Sequence, residues 1–381
     1  MPIYGIDLGT TYSAIAMLGA NNLPEVIENF ADGSSKIASV VYFPKDGYPI
    51  VGGQAKDRAE HEPERVAEYV MSYIERSDSI ICSFDGVDYD AVKILSLILK
   101  RIKLYAAEQD HEVKDVIVTC PVNFGLEGKI AIKQASELAG LNVLRFIPKP
   151  VAAALSYCGN ELNESRQILV FDLGAGTFDL TLIDFSVDEN RKSTIKIIAS
   201  NEDDRLGGIV WDAVLNIYML DVYADESGVQ VNDIPHEIKQ RIRAEVEEVK
   251  KGLSFMPNKS VSIAVAGESA RITLKRDEFE RRSKHLVIKT TRLVNEVLET
   301  AGVKAEEVDL VLLVGGSTLM PMSRSAVEAL FPGRIRVEHP DLAVVKGAAL
   351  SALELGQDTK REEQKMELAI DQETDQEKID Q

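Results

Sequence analysis

Apolar and polar positions alternate along residues 3–18, IYGIDLGTTYSAIAML, and the alternation breaks only at Gly9-Thr10-Thr11. A period of two on either side of a small-residue break predicts strand, turn, strand. Residues 168–183, ILVFDLGAGTFDLTLI, have the same shape, with Asp7-Leu8-Gly9 aligning on Asp172-Leu173-Gly174. The two D-L-G sites are 165 positions apart. That is far beyond a solenoid repeat, and it suits two large related halves that each open with a hairpin.

The remaining pattern alternates between strand and helix periods. Residues 116–120 (VIVTC) predict a short buried strand ended by Pro121, and residues 128–139 a helix with Gly140 just past its end. Pro150 opens a helix reaching Tyr157. Residues 235–253 predict a long charged helix with Ile238, Ile242, Val246 and Val249 on one face, and residues 277–301 another. Residues 309–314 (DLVLLV) are almost wholly apolar, as in a strand covered on both faces. Residues 343–355 predict a final helix of small residues. The expected class is α/β.

Composition narrows the possible chemistry. A hydrophobic fraction of 45% and a charged fraction of 28% are ordinary for a globular protein and exclude a disordered or collagen-like chain. The 43 lysines and arginines against 62 acids leave a net charge of −19. That excludes a nucleic-acid surface, which needs clustered cations. It leaves room for a small phosphate ligand held by backbone N–H groups, a few placed cations or a metal. Cys82, Cys120 and Cys158 form no CxxC pair, and are expected to be reduced, buried thiols of a cytoplasmic protein. The N-terminus MPIYGIDLG has no leader pattern, and no apolar run approaches the ~18 residues of a membrane helix. No membrane partner is expected. Residues 357–381 hold nine acids and four bases, and a solvated tail is expected there.

Three glycine turns follow three apolar strands: Gly9-Thr10-Thr11, Gly174-Ala175-Gly176-Thr177 and Gly315-Gly316-Ser317-Thr318. Small residues let backbone N–H groups approach a phosphate without a Cβ in the way. Ordinary hairpins also look like this, but the shared D-L-G in equivalent places favours a two-part phosphate site. Asp7 and Asp172 precede the first two turns and Asp179 follows the second. Carboxylates beside a phosphate loop repel the ligand unless a cation intervenes. Asp7 and Asp172 are therefore expected to hold Mg²⁺ through its bound waters.

IDLGTTYS, FDLGAGTFDL, LGG at 206–208, VGGST at 314–318 and KPVAAA at 149–154 resemble the nucleotide-binding domain of the seventy-kilodalton heat-shock chaperones, the DnaK-type family, within the actin-like ATPases. The resemblance covers residues 2–356. It implies two lobes with duplicated five-stranded, helix-covered sheets around a nucleotide cleft. The first lobe would be residues 1–150, with a trimmed peripheral part at about 30–110. The second would be 151–356, with a peripheral part at about 209–302 and the helix 343–355 crossing back. The helices opening at Pro150 and at Ala343 would meet at a hinge, their Ala and Gly residues allowing close approach.

The resemblance also implies roles. Gly9, Thr10, Thr11 and Tyr12 would bind the β- and γ-phosphates of ATP or ADP, and Lys56 the γ-phosphate and attacking water. Gly174, Ala175 and Gly176 would wrap the phosphates from the second half. Asp172 would act with them, Thr177 would lie near the water and Asp179 would polarise it. Gly207 and Gly208 would lie near ribose and phosphates, and Glu247, Lys250, Lys251 and Ser254 would hold ribose and adenine. Gly315, Gly316 and Ser317 would close over the adenosine, with Asp341 at the cleft edge. Co-chaperones and nucleotide-exchange proteins are the implied partners.

Four departures qualify this. The family has glutamate where this chain has Lys149, and arginines where it has Leu319 and Lys251. Ile209 stands where an acid usually follows LGG. The segment between Lys56 and Val116 is shorter than the family's. No apolar linker and peptide-binding β-sandwich follow, so a module without a peptide-binding half is expected. Slow ATP hydrolysis is the leading expectation. A nucleotide sensor without turnover, an actin-like filament former and a small-molecule kinase are the alternatives.

Overall fold

The computed structural model describes residues 2–29, 33–59, 61–76, 79–161, 164–187, 193–265, 268–337, 339–353 and 355. The expected acidic tail lies outside the described residues.

Both D-L-G hairpins form where the alternation places them. Strand Ile3–Asp7 pairs antiparallel with Tyr12–Leu18, bringing Asp7 opposite Ala14. Strand Arg166–Leu173 pairs antiparallel with Phe178–Val187, bringing Asp172 opposite Asp179. Each hairpin is extended by a parallel neighbour: Asp115–Cys120 on the first, and the all-buried Leu310–Val314 on the second. The duplication is thus one of topology as well as sequence.

The first sheet runs in the order Asn142–Pro148, Asp115–Cys120, Ile3–Asp7, Tyr12–Leu18, Pro24–Val26. The second runs Ser193–Asp203, Phe178–Val187, Arg166–Leu173, Leu310–Val314, Ile335–Arg336. The sheets are not equal in size. The two-residue strand Ile37–Ala38 also pairs with Tyr12–Leu18, which makes the first sheet six-stranded against five. That strand follows Pro24–Val26 in the chain and lies beside Gly9, where Ser39 Oγ donates to the Gly9 carbonyl at 2.9 Å.

Helices cover the sheets as the apolar stripes require. Helix Leu126–Leu138 and helix Ala91–Ala107 bury Ile132, Ala135, Ile94 and Leu95 against the first sheet. On the second side, helix His236–Phe255 buries the predicted face Ile238, Ile242, Val246 and Val249. It packs with helices Gly208–Ser227 and Arg276–Ala301 around Trp211 and Phe279. A third core joins Ile117, Ala152–Ala154, Ile168, Val344 and Ala348. Its center is the contact between helix Lys149–Glu161 and helix Ala343–Leu350. Cys120 is buried and Cys82 half-buried, neither in a disulfide, and the Cys158 side chain lies outside the described residues. No described helix is long and apolar enough to cross a membrane.

Candidate functional site

The turns at Gly9 and Gly174 belong to different sheets, yet they meet. A Cβ built on Gly176 would lie 3.4 Å from Thr10 Cγ2. The third turn and the start of helix Gly208–Ser227 are tied to the second turn by its carbonyls. Ser317 Oγ and Gly208 N both donate to Gly174 O at 2.9 Å, and Ile209 N donates to Ala175 O at 2.8 Å. Only glycine fits at two of these crossings. A Cβ on Gly207 would lie 2.4 Å from Ala175 O, and one on Gly315, whose φ is 83°, would lie 2.3 Å from Leu173 O. Thr11 Oγ1 is buried with no hydrogen-bond partner, a donor left for a ligand.

Lys56 reaches this cleft from the short helix Gly53–Arg58. Its ammonium donates to Tyr12 OH at 2.9 Å and is ion-paired with Glu247 of helix His236–Phe255. Tyr12 OH donates to Glu247 Oε1 at 3.1 Å. Tyr12 therefore closes a link across the cleft. The pair sets its own protonation. Burial works against both charges and is the largest single influence, but the hydrogen bonds and charge attraction of the pair, with Tyr12 adding at Lys56 and Lys251 at Glu247, together outweigh it, raising Lys56 and holding Glu247 down to about 2. Lys250 donates to Asp212 Oδ2 at 2.8 Å and to Gly208 O at 3.1 Å. Lys251, half exposed, pairs with Glu248 at 2.7 Å and Glu247 at 3.1 Å. Ser254 Oγ bonds the Lys250 carbonyl of its own helix. Asp341 is ion-paired with Lys36, a second link between the sheets. Leu319 and Ile209 are each more than a third exposed.

The acids lie below the turns. Asp179 Oδ2 accepts from Thr177 Oγ1 at 2.9 Å. Asp7 Oδ1 accepts from Thr119 Oγ1 at 2.6 Å and faces Lys149 Nζ at 3.3 Å. Burial pushes Asp172 up to about 7, with Asp179 and Asp7 adding to the rise and Lys149 opposing it. Burial also raises Asp179, against the Thr177 hydrogen bond and Lys149. Lys149 is raised, because Asp7, Asp172 and Asp179 outweigh the burial that disfavours its charge.

A hydrated magnesium ion between Asp7 and Asp172 does not suit this donor set. Metal-bound waters need acceptors, whereas an ammonium offers three donors and no acceptor and repels the metal. Among the described residues no cluster of three or more His, Cys, Asp or Glu could hold a metal.

Several residues here carry no sequence signal. Thr119 lies 112 positions from Asp7. Glu68 and Tyr69 line the cavity beside Thr10, Lys56 and Glu247. Tyr69 has a φ of 58°, unusual for a bulky residue and invisible in a pattern of polarity. Asp212 and Lys36 are found only through the lysine or aspartate they meet.

Comparison with known proteins agrees with this geometry. A family model described as Hsp70 protein matches residues 3–78 and 64–368. The chaperone protein DnaK of Mycoplasmopsis agalactiae is 33% identical over 357 residues, 91% of this chain and 58% of that protein. The chaperone protein DnaK of Thermosipho africanus is 32% identical over 358 residues, 92% of this chain and 58% of that protein. The chain spans under two thirds of the length of these relatives. Matched across both sheets and every turn of the cleft, the chain belongs to the Hsp70 family.

Proposed function

We propose that the cleft binds ATP and ADP and hydrolyses ATP slowly, as the nucleotide-binding domain of an Hsp70-type chaperone. The observation that carries this is the meeting of two D-L-G turns from separate sheets around the unpartnered Thr11 hydroxyl. Gly9, Thr10, Thr11, Tyr12, Gly174, Ala175 and Gly176 hold the β- and γ-phosphates through backbone and hydroxyl donors. Gly207 and Gly208 lie near ribose and phosphates, Glu247, Lys250, Lys251 and Ser254 hold ribose and adenine, and Gly315, Gly316 and Ser317 close over the adenosine, with Asp341 at the cleft edge. Lys56 neutralises charge on the γ-phosphoryl group, while Thr177 and Asp179 orient water for in-line attack. Cytoplasmic residence and co-chaperone or exchange-factor partners belong to the same proposal.

The cleft must open first. Its cavity is about 90 Å³, against the ~300–1,000 Å³ of small-molecule sites. The bar across it is the Lys56–Glu247 pair, so ligand entry has to separate the two. Both side chains are about a third exposed, so the pair is expected to contribute about 1 kcal/mol to the ligand-free protein. A double-mutant cycle with Lys56→Met and Glu247→Gln measures it. Because Glu247 is depressed to about 2 from 4.5, the contribution is present above pH 4.5 and fades as the pH falls toward 2. The stability gap between the wild type and Glu247→Gln should narrow over that window. A gap that stays constant down to acid unfolding removes the pair from the account.

Calorimetric titration with ATP and ADP, followed by phosphate release at saturating ATP, tests the function. Binding with slow release is expected, and absence of binding overturns the reading. The Lys149–Asp7 ion pair favours one second reading, in which nucleotide binds without turnover. Saturable binding with no phosphate released identifies it.

A further inference from the structure

The floor of the cleft carries more negative charge than a phosphate ligand tolerates. Asp172 and Asp179 are paired across the second hairpin, and Asp7 ends the strand that leads into the first turn. Each of Asp7 and Asp172 precedes a phosphate turn by two residues. Phosphates seated in those turns would lie next to the carboxylates, and a cation must stand between them. The structure supplies one. Lys149 opens helix Lys149–Glu161, and its ammonium stands 3.3 Å from Asp7 Oδ1. That is an unfavourable place for a lysine, since a cation at the first helical position opposes the helix dipole. The three carboxylates offset that cost. The side chain is only about one-fifth exposed (21%), so it is directed inward and not spread on the surface. An ammonium has three donors, enough to hold a carboxylate and reach phosphate oxygens together. Lysine is an established point-charge partner for phosphate.

Resting on the reading of the cleft as a nucleotide site, we propose that Lys149 supplies the cation between the carboxylates and the phosphates, so that this chain binds adenine nucleotides without magnesium. The ammonium lies beside Asp7 and so holds the position from which a divalent ion would screen the phosphates. It also removes an acceptor that metal-bound waters would need. Lys149 is thereby a specificity-determining residue: it removes the requirement for magnesium.

Titration of the full chain with ATP and with ADP, in EDTA and in excess magnesium at matched ionic strength, tests this by calorimetry. The Kd in the two media is expected to agree within about threefold. Lys149→Glu should create a magnesium dependence, with binding at least about tenfold tighter in magnesium than in EDTA. Lys149→Gln, the milder change, should weaken binding in EDTA by about tenfold, with melting temperature confirming the fold. A wild-type Kd that weakens more than about threefold on chelation overturns the inference and leaves the nucleotide site standing. Absence of binding in both media overturns the nucleotide site itself, and the inference with it.

Discussion

Gly347→Ala should destabilise the protein by about 3 kcal/mol or more, above the usual range for one extra methyl group in a packed core. The reason is geometric. A Cβ at Gly347 would lie 1.6 Å from the carbonyl oxygen of Ala152 and 2.3 Å from its carbon. Both belong to the backbone of the facing helix, so no side chain can turn aside. Helix Ala343–Leu350 cannot retreat either, because strand Ile3–Asp7 lies against it on another side. There a Cβ at Gly5 would sit 2.4 Å from the Ala349 nitrogen. The helix is therefore held between two backbones, and the added methyl must drive them apart. A fall in Tm of about 4 °C or more is expected in calorimetry for a chain of 381 residues. Gly53→Ala is the comparison. Nothing lies within 4 Å of a Cβ there and the residue opens a helix, so its effect should stay within about 0.5 kcal/mol. Equal Tm values for the two variants would show that the helix contact is looser than the backbone distances state.

Asp179→Asn is expected to lower ATP turnover by about 10²–10⁴, the usual share of a positioned acid–base group. ATP affinity should stay within about threefold. Asp179 faces Asp172 in register across the hairpin, and Thr177 donates to it at 2.9 Å. Burial raises Asp179 against the Thr177 hydrogen bond and Lys149, and a carboxylate above its ordinary range is a better base for water. The same crowding separates a catalytic loss from a folding loss. Replacing one of two facing carboxylates by a neutral amide relieves repulsion, so the Tm of Asp179→Asn should be equal to or above that of the wild type. Unchanged phosphate release would end the assignment of Asp179 as the group that polarises water. A lowered Tm would show that the attraction of Thr177 and Lys149 for this carboxylate exceeds its repulsion from Asp172.

Most of the fold was legible in the chain. The two hairpins, the charged helix with Ile238, Ile242, Val246 and Val249 inward, and the wholly buried strand after Asp309 lie where the apolar spacing placed them. The small residues of helix Ala343–Leu350 signalled close approach as well. The sixth strand of the first sheet was not legible. A two-residue strand has no period of its own, and Ile37–Ala38 forms only because Tyr12 and Ser13 offer it an edge. The candidate site divides the same way. The turns and their acids carry local signatures, whereas Thr119, Glu68, Tyr69 and Asp212 carry none.

The sequence by itself determined the α/β class, the duplicated hairpins and the turn residues beside which phosphates could lie, because these follow from spacing within ten or fifteen positions. What faces what was decided by the tertiary structure. Lys56 and Glu247 are 191 positions apart, and Lys149 and Asp7 lie on different elements of the cleft. A lysine's role depends on the charge it meets, and that is set by how two sheets and two crossing helices pack. Lys149 in the chain is a departure from a resemblance. In the fold it is a half-buried cation among three carboxylates.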